Sequence, residues 1–160
     1  MSELDRQRGS VVEAAKTWLG TKFLMNAAVR GAGVDCARLC LMSYLAAGLD
    51  MPAVRTFPQL SPDWNLHANE ERLLGLLEAH LEYVEQPKPG DMAVFRIGGR
   101  VFAHTAIVVA WPQVIHVLMR RTCEYADATK APLAGHAFRF MTPREWISAR
   151  ADYATNLVAK

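Results

Sequence analysis

Residues 33–40 read GVDCARLC, and this stretch starts a helix. Asp35 is a typical N-cap, because its carboxylate can accept hydrogen bonds from the unpaired N–H groups of the first helical turn. Cys36 follows in that turn, and apolar residues recur at helical spacing until Gly48 ends the helix. The same N–H groups and the positive end of the helix dipole favour a thiolate at Cys36 and can hold an oxyanion. The pattern predicts a nucleophilic cysteine at the start of a helix.

The sequence around this helix places helices first and strands afterwards. The predicted helices span residues 3–19, 35–47 and 69–84, with a short one beginning at Thr142 and Pro143. Residues 21–34 are predicted to be irregular, and residues 51–64 to form a proline-rich connection. The predicted strands span residues 92–96, 101–110, 114–119 and 136–140. This order predicts an α+β protein with a mostly antiparallel sheet, and we expect residues 1–160 to form a single domain.

Two histidines interrupt strands that are otherwise apolar. His104 lies within VFAHTAIVV and His116 within VIHVL. If the turn between these strands centres on Trp111, Ala106 faces His116, and the two histidines become diagonal neighbours on one face of the sheet. His104 is then placed to act as a base for Cys36, and His116 to orient its imidazole. The spacing predicts a Cys–His–His site.

The same residues have other interpretations. A cysteine on an apolar helix face is commonly part of the core, which we expect for Cys40, and Cys123 is expected to play no part in the site. A zinc site formed by Cys36, Cys40, His104 and His116 is a rival hypothesis. Its Cys-x-x-x-Cys spacing within a helix differs from the usual zinc knuckle, so we expect no metal.

Composition narrows the class of protein. The net charge of the 160 residues is +2, without a basic stripe, so no nucleic-acid partner is expected. No apolar run approaches the roughly 18 residues of a membrane-spanning helix. The charged N-terminus lacks the apolar core of a signal peptide, and three cysteines are an odd number, so we expect cytoplasmic synthesis and free thiols.

An ordered set of motifs resembles the NlpC family, the papain-like cysteine peptidases of bacterial cell walls. The motifs are WLGTKF (18–23), GVDCA (33–37), PGDMAVF (89–95), HTAIV (104–108) and VIHV (114–117). They are most similar to the branch found in phage tails, prophages and gene-transfer agents. The segment LAGHAFRF (133–140) is also typical of that branch.

The resemblance implies a papain-like fold, with N-terminal helices and the nucleophile helix packed on a mostly antiparallel sheet. It implies a peptidase that needs no cofactor and cuts peptidoglycan stem peptides between D-glutamate and the diamino acid. Cys36 would be the nucleophile, His104 the base and His116 the residue that orients it, while Asp35 would help to hold the free amine of the stem peptide. Phage-tail proteins are implied as further partners, with the protein in the virion or released to the cell wall.

Three positions depart from the family pattern. Many relatives carry a tyrosine beside the nucleophile, near the position that Phe23 occupies in this sequence. Arg38 and Ala106 occupy positions where glycine is usual. Phe23 and Arg38 are therefore candidate substrate-binding residues that could alter the substrate or slow the enzyme. Two further hypotheses follow: an amidase or acyltransferase on another amide, and a structural tail component whose site has decayed.

Overall fold

The computed structural model describes residues 1–148, so the predicted domain's last residues, 149–160, lie outside the described part. The helices are α1 (Glu3–Lys16), α2 (Cys36–Ala46), α3 (Ala53–Thr56), α4 (Trp64–His67) and α5 (Arg72–Leu77). The strands are β1 (Ala28–Val29), β2 (Gly33–Val34), β3 (Leu81–Val84), β4 (Met92–Phe95), β5 (His104–Ala110), β6 (Gln113–His116), β7 (Glu124–Asp127) and β8 (Phe138–Pro143). Residues 144–148 are helical. None of the helices within residues 1–148 combines the length and apolar character that crossing a bilayer requires.

Helix α1 is closed at both ends by local hydrogen bonds. Ser2 and Asp5 form a reciprocal capping box at its start. The helix ends at Lys16 rather than at the predicted Leu19, because its last turn tightens into i→i−3 bonds, such as that from the Leu19 N–H to the Lys16 carbonyl at 3.2 Å. Trp18 is buried in this tightened turn, and Leu19 is exposed.

Helix α2 begins where the sequence predicts. Asp35 is its N-cap, and the Asp35 side chain accepts a hydrogen bond from the Arg38 N–H. Leu39, Cys40 and Tyr44 form a fully buried face. This face packs α2 against α1 and β5, which brings the start of α2 to the sheet.

The main sheet has six strands in the order β3-β8-β4-β5-β6-β7, and every neighbouring pair is antiparallel. The predicted α+β class is confirmed. Strands β5 and β6 pair Ile107 with Ile115 and Val108 with Val114, which is the register predicted for a turn at Trp111. That register places both site histidines at the same end of the sheet.

Three predicted segments are wrong in part. The helix predicted over residues 69–84 is interrupted, since α5 ends at Leu77 and residues 81–84 form β3, whose edge pairs with β8. Apolar spacing alone does not separate a short helix from a strand, and here the pairing partner decides. The proline-rich connection contains α3 and the first residue of α4. Residues 21–34, predicted to be irregular, contain the two short paired strands β1 and β2.

The end of the sheet also differs from the prediction. Strand β7 was not predicted, because its sequence EYAD is short and polar. Strand β8 extends to Pro143, and the predicted short helix begins directly after it, at residue 144. Its position between β3 and β4 buries Met141 and Thr142 and sustains the extended backbone.

A buried ion pair fixes α1 to the turn before β4. Arg8 Nη1 lies 2.7 Å from Asp91 Oδ1 and 3.0 Å from the Pro89 carbonyl oxygen, and Arg8 Nη2 donates to Thr142 Oγ1 at 3.3 Å. The Arg8 guanidinium also lies 4.2 Å from the ring centroid of Trp146. Gly90 adopts a φ of +86°, and a Cβ there would lie 3.0 Å from the Arg8 carbonyl oxygen, so the turn requires glycine.

Candidate active site

A cavity of about 370 Å³ opens where the start of α2 faces the start of β5. Cys36, Asp35, Arg38, His104 and Phe23 line it, and His116 lies behind His104. The structure thus brings together all six residues that the sequence singled out. These residues are far apart in the sequence, and the packing of α2 on β5 brings them together.

His104 and His116 form a hydrogen-bonded pair. His104 Nε2 and His116 Nδ1 are 2.9 Å apart, and the two rings meet edge to face with centroids separated by 5.1 Å. Because Nε2 of His104 is occupied, Nδ1 is the ring nitrogen left for a nucleophile. A base at Nδ1 would require the proton on Nε2, with His116 Nδ1 accepting it and His116 carrying its own proton on Nε2.

Burial keeps both imidazoles neutral at neutral pH. Loss of solvation lowers the pKa of His104 well below its usual value, and the neighbouring His116 lowers it further. Burial also lowers the pKa of His116 to about 4, although the Glu124 carboxylate opposes this shift. A neutral imidazole is the form that can accept a proton.

Glu124 extends this arrangement, and the sequence did not reveal it. Strand β7 places Glu124 directly opposite His116, and its Oε1 lies 3.6 Å from His116 Nε2. His116 Nε2 is buried and has no hydrogen-bond partner in the described residues. Glu124 could have been found only by predicting β7 as a strand, because the pairing of β7 with β6 places Glu124 opposite His116.

The surroundings of Cys36 favour the protonated thiol in the free protein. Burial, then the Asp35 carboxylate, raises its pKa to about 11, while the backbone and hydroxyl of Thr105 and the backbone of Ala37 oppose the shift. The thiolate that the sequence predicts here stays a prediction, because the helix start favours the thiolate while burial and the Asp35 carboxylate oppose it. The Sγ atom lies 3.7 Å from the Ala103 carbonyl oxygen.

Thr105 is a second residue that the sequence did not single out. Its hydroxyl is buried, and it acts to lower the pKa of the Cys36 thiol. Thr105 follows His104 on β5, so strand alternation directs the two side chains to opposite faces. No short pattern in the sequence would have identified it.

The other two cysteines, Cys40 and Cys123, are buried. All three cysteines are free thiols. Burial raises the pKa of Cys40, and raises that of Cys123 to about 12. Within residues 1–148, no group of three or more His, Cys, Asp or Glu side chains is placed to hold a metal ion, so the rival zinc ligand set is not assembled.

Arg38 folds back onto Asp35. Arg38 Nη1 lies 2.6 Å from Asp35 Oδ2, and Arg38 Nη2 lies within 3.4 Å of the carbonyl oxygens of Phe57 and Pro58. Asp35 Oδ2 also accepts the Asn26 N–H at 2.8 Å. The Arg38 cation is thus held inside the wall of the cavity.

Phe23 contributes an apolar surface to the same cavity. It is half-buried, its N–H donates to the Arg121 carbonyl at 2.9 Å, and its backbone bridges to Val34. Its ring presents no donor to the site. The rest of the lining is mostly apolar.

Several solved structures share this fold. NlpC1 from Trichomonas vaginalis superposes with a TM-score of 0.57 and 19% identity over 88% of this chain and 44% of its own. An NlpC/P60 family protein from Bacillus cereus gives 0.58 and 17% over 82% of this chain and 39% of its own. The NlpC/p60 domain of the peptidoglycan hydrolase SagA gives 0.52 and 18% over 82% of this chain and 96% of that domain.

These likenesses define the class as an α+β protein with a papain-like fold. Within that class, the chain has the NlpC/P60 fold. It spans less than half the length of the Trichomonas and Bacillus chains. No protein-family model matches the sequence, and no curated protein sequence matches it.

Proposed function

We propose that this protein is a thiol hydrolase that cleaves amide bonds in peptidoglycan stem peptides. One observation carries the proposal: His104, which lies 2.9 Å from His116, lines the same cavity as Cys36 at the start of α2. The NlpC/P60 fold supports it, since SagA, which shares the fold, is a peptidoglycan hydrolase.

The reaction begins with two neutral groups. As the substrate carbonyl approaches, the Cys36 thiol passes its proton to His104 Nδ1, and Sγ forms a bond to the carbonyl carbon. The electron pair of the C=O bond moves to oxygen, where N–H groups in the first turn of α2 stabilise the charge. The high pKa of the free thiol means that this proton transfer accompanies attack.

His104 then completes the cycle. It donates its proton to the leaving nitrogen, the C–N bond breaks and an acyl-thioester remains on Cys36. Water attacks the thioester, His104 takes the water proton, and the carboxylic acid is released with the thiol restored. His116 orients His104 and accepts its Nε2–H, while Glu124 stabilises the positive charge that the pair acquires.

The proposal also specifies which amide bond is cut and where the protein acts. We place the cut between D-glutamate and the diamino acid, and we place the protein with phage tails or prophages. The ordered motifs of the sequence support both.

The experiment compares single and double variants on a purified stem peptide, with products identified by mass spectrometry. Cys36→Ala and His104→Ala should each abolish turnover, and the double variant should be no worse, because the two residues act as one unit. His116→Gln should retain more activity than His104→Ala. The matched control is His80→Ala, a histidine that does not line the cavity, and this variant should turn over at the wild-type rate.

The apolar lining of the cavity favours a second candidate, an amidase or acyltransferase whose amide carries an apolar acyl group. Turnover of such an amide, but not of stem peptide, would select it. Absence of turnover on any amide would favour the structural tail component.

A further inference from the structure

The Asp35–Arg38 ion pair forms part of the cavity wall beside Cys36. Only 4% of the Asp35 side chain and 12% of the Arg38 side chain are exposed. Their charged atoms are 2.6 Å apart, and both residues line the cavity. Any substrate group that lies along this wall meets a carboxylate whose charge is already matched.

Most of the acceptor capacity of Asp35 is used within the protein. Oδ1 accepts the Arg38 N–H at 2.9 Å, and Oδ2 accepts the Asn26 N–H at 2.8 Å and Arg38 Nη1. A substrate ammonium that takes the place of the guanidinium on Oδ2 has to displace it. Displacement would leave a nearly buried cation without its partner, which is strongly unfavourable.

Arg38 is held in place from the far side as well. Two backbone carbonyls accept from its Nη2, and its guanidinium lies 5.1 Å from the ring centroid of Phe57. These contacts come from the connection after α2, so the pair is fixed by tertiary packing in addition to helical spacing. The guanidinium is thereby prevented from swinging into solvent to make room.

Among the described residues that line the cavity, the second carboxylate, Asp63, is not buried and lies 3.3 Å from His67. The wall around the ion pair is formed by apolar side chains, including Phe23, Met25 and Leu60. An ammonium group placed here would lose its hydration without gaining a partner.

We infer that the substrate segment lying against the Asp35–Arg38 pair carries no free ammonium group and is N-acylated. This inference rests on the proposed function and specifies its substrate: stem peptides that are still joined to the glycan by an amide, in preference to peptides trimmed to a free amino terminus. Arg38 acts as the specificity-determining residue, because it neutralises the carboxylate that would otherwise attract an amine.

The test uses one stem peptide in two forms, with its amino terminus either acetylated or free, and measures kcat/KM for each. The wild-type protein should prefer the acetylated form by at least about tenfold. In Arg38→Met the Asp35 carboxylate loses its partner, and the preference should fall at least about tenfold or reverse in favour of the free amine. Arg38→Gln is a second variant with the same expected result. The preference for the acetylated peptide is measured on the wild-type protein and does not depend on either variant folding.

The control is Arg6→Met, which breaks an exposed ion pair of the same i,i+3 spacing, with Glu3, on α1. It should leave the ratio between the two peptides unchanged. Equal or faster cleavage of the free-amine form by wild type would overturn this inference alone. Cleavage of neither form would overturn the proposed function together with it.

Discussion

His116 should make the protein sensitive to acid, and His116→Gln should remove part of that sensitivity. The imidazole is fully buried, and burial lowers its pKa from about 6.5 to about 4. Between these two values the unfolded chain binds a proton that the folded chain does not. The free energy of unfolding therefore falls as the pH falls from about 6.5 towards 4.

The size of the effect follows from the two pKa values. At pH 4.5 the unfolded chain is almost fully protonated at this residue, while the folded chain is mostly not. The linkage relation then gives a loss of about 2.5 kcal/mol attributable to His116. Burial also lowers the pKa of His104, and this shift too reduces the free energy of unfolding in acid. His104 is present in both wild type and His116→Gln, so the comparison isolates His116.

The assay is urea unfolding of wild type and His116→Gln at pH 7.5 and at pH 4.5. The loss between the two pH values should be smaller in the variant by about 2.5 kcal/mol. The control His67→Gln measures what removing an exposed histidine does. An equal loss in wild type and His116→Gln would refute the reasoning, because it would mean that His116 keeps an ordinary pKa in the folded protein.

Three further predictions concern single residues. Cys36 should react with iodoacetamide before Cys123, as measured by peptide mass spectrometry, and the reverse order would contradict its assignment as the nucleophile. Its alkylation rate should rise about tenfold per pH unit up to about pH 9, because its pKa is about 11. Arg8→Met should lower the free energy of unfolding by about 3–5 kcal/mol, because it leaves the Asp91 carboxylate buried and unpaired; a urea titration giving a loss below about 1 kcal/mol would count against this. Phe23→Tyr should not raise turnover of stem peptide, because the apolar cavity has adapted to phenylalanine; a gain of about tenfold would show a missing hydroxyl instead.

Local chemistry made part of this structure predictable. The N-cap at Asp35 depends on its own neighbours, and the relation between His104 and His116 depends only on strand alternation and one turn. Features that depend on distant partners were not predictable in the same way. Residues 81–84 become a strand because β8 pairs with them, and Glu124 reaches His116 only through β7.

The electrostatic state of the site was the least accessible from sequence. A helix start favours a thiolate, but the sequence does not state how deeply Cys36 is buried or that the Asp35 carboxylate acts on it. In the same way, an arginine at position 38 can point to solvent or fold back. The carbonyl groups of Phe57 and Pro58, about twenty residues away, help to hold it on Asp35.

The position of β8 affects how the protein can be synthesised. This strand comes last in the described sheet, yet it lies inside it, between β3 and β4. A nascent chain cannot close the sheet until residues 138–143 have left the ribosome, and until then the edges of β3 and β4 are open to other chains. Stop codons or proteolytic cuts before Phe138 should therefore give insoluble fragments, even though every site residue lies upstream.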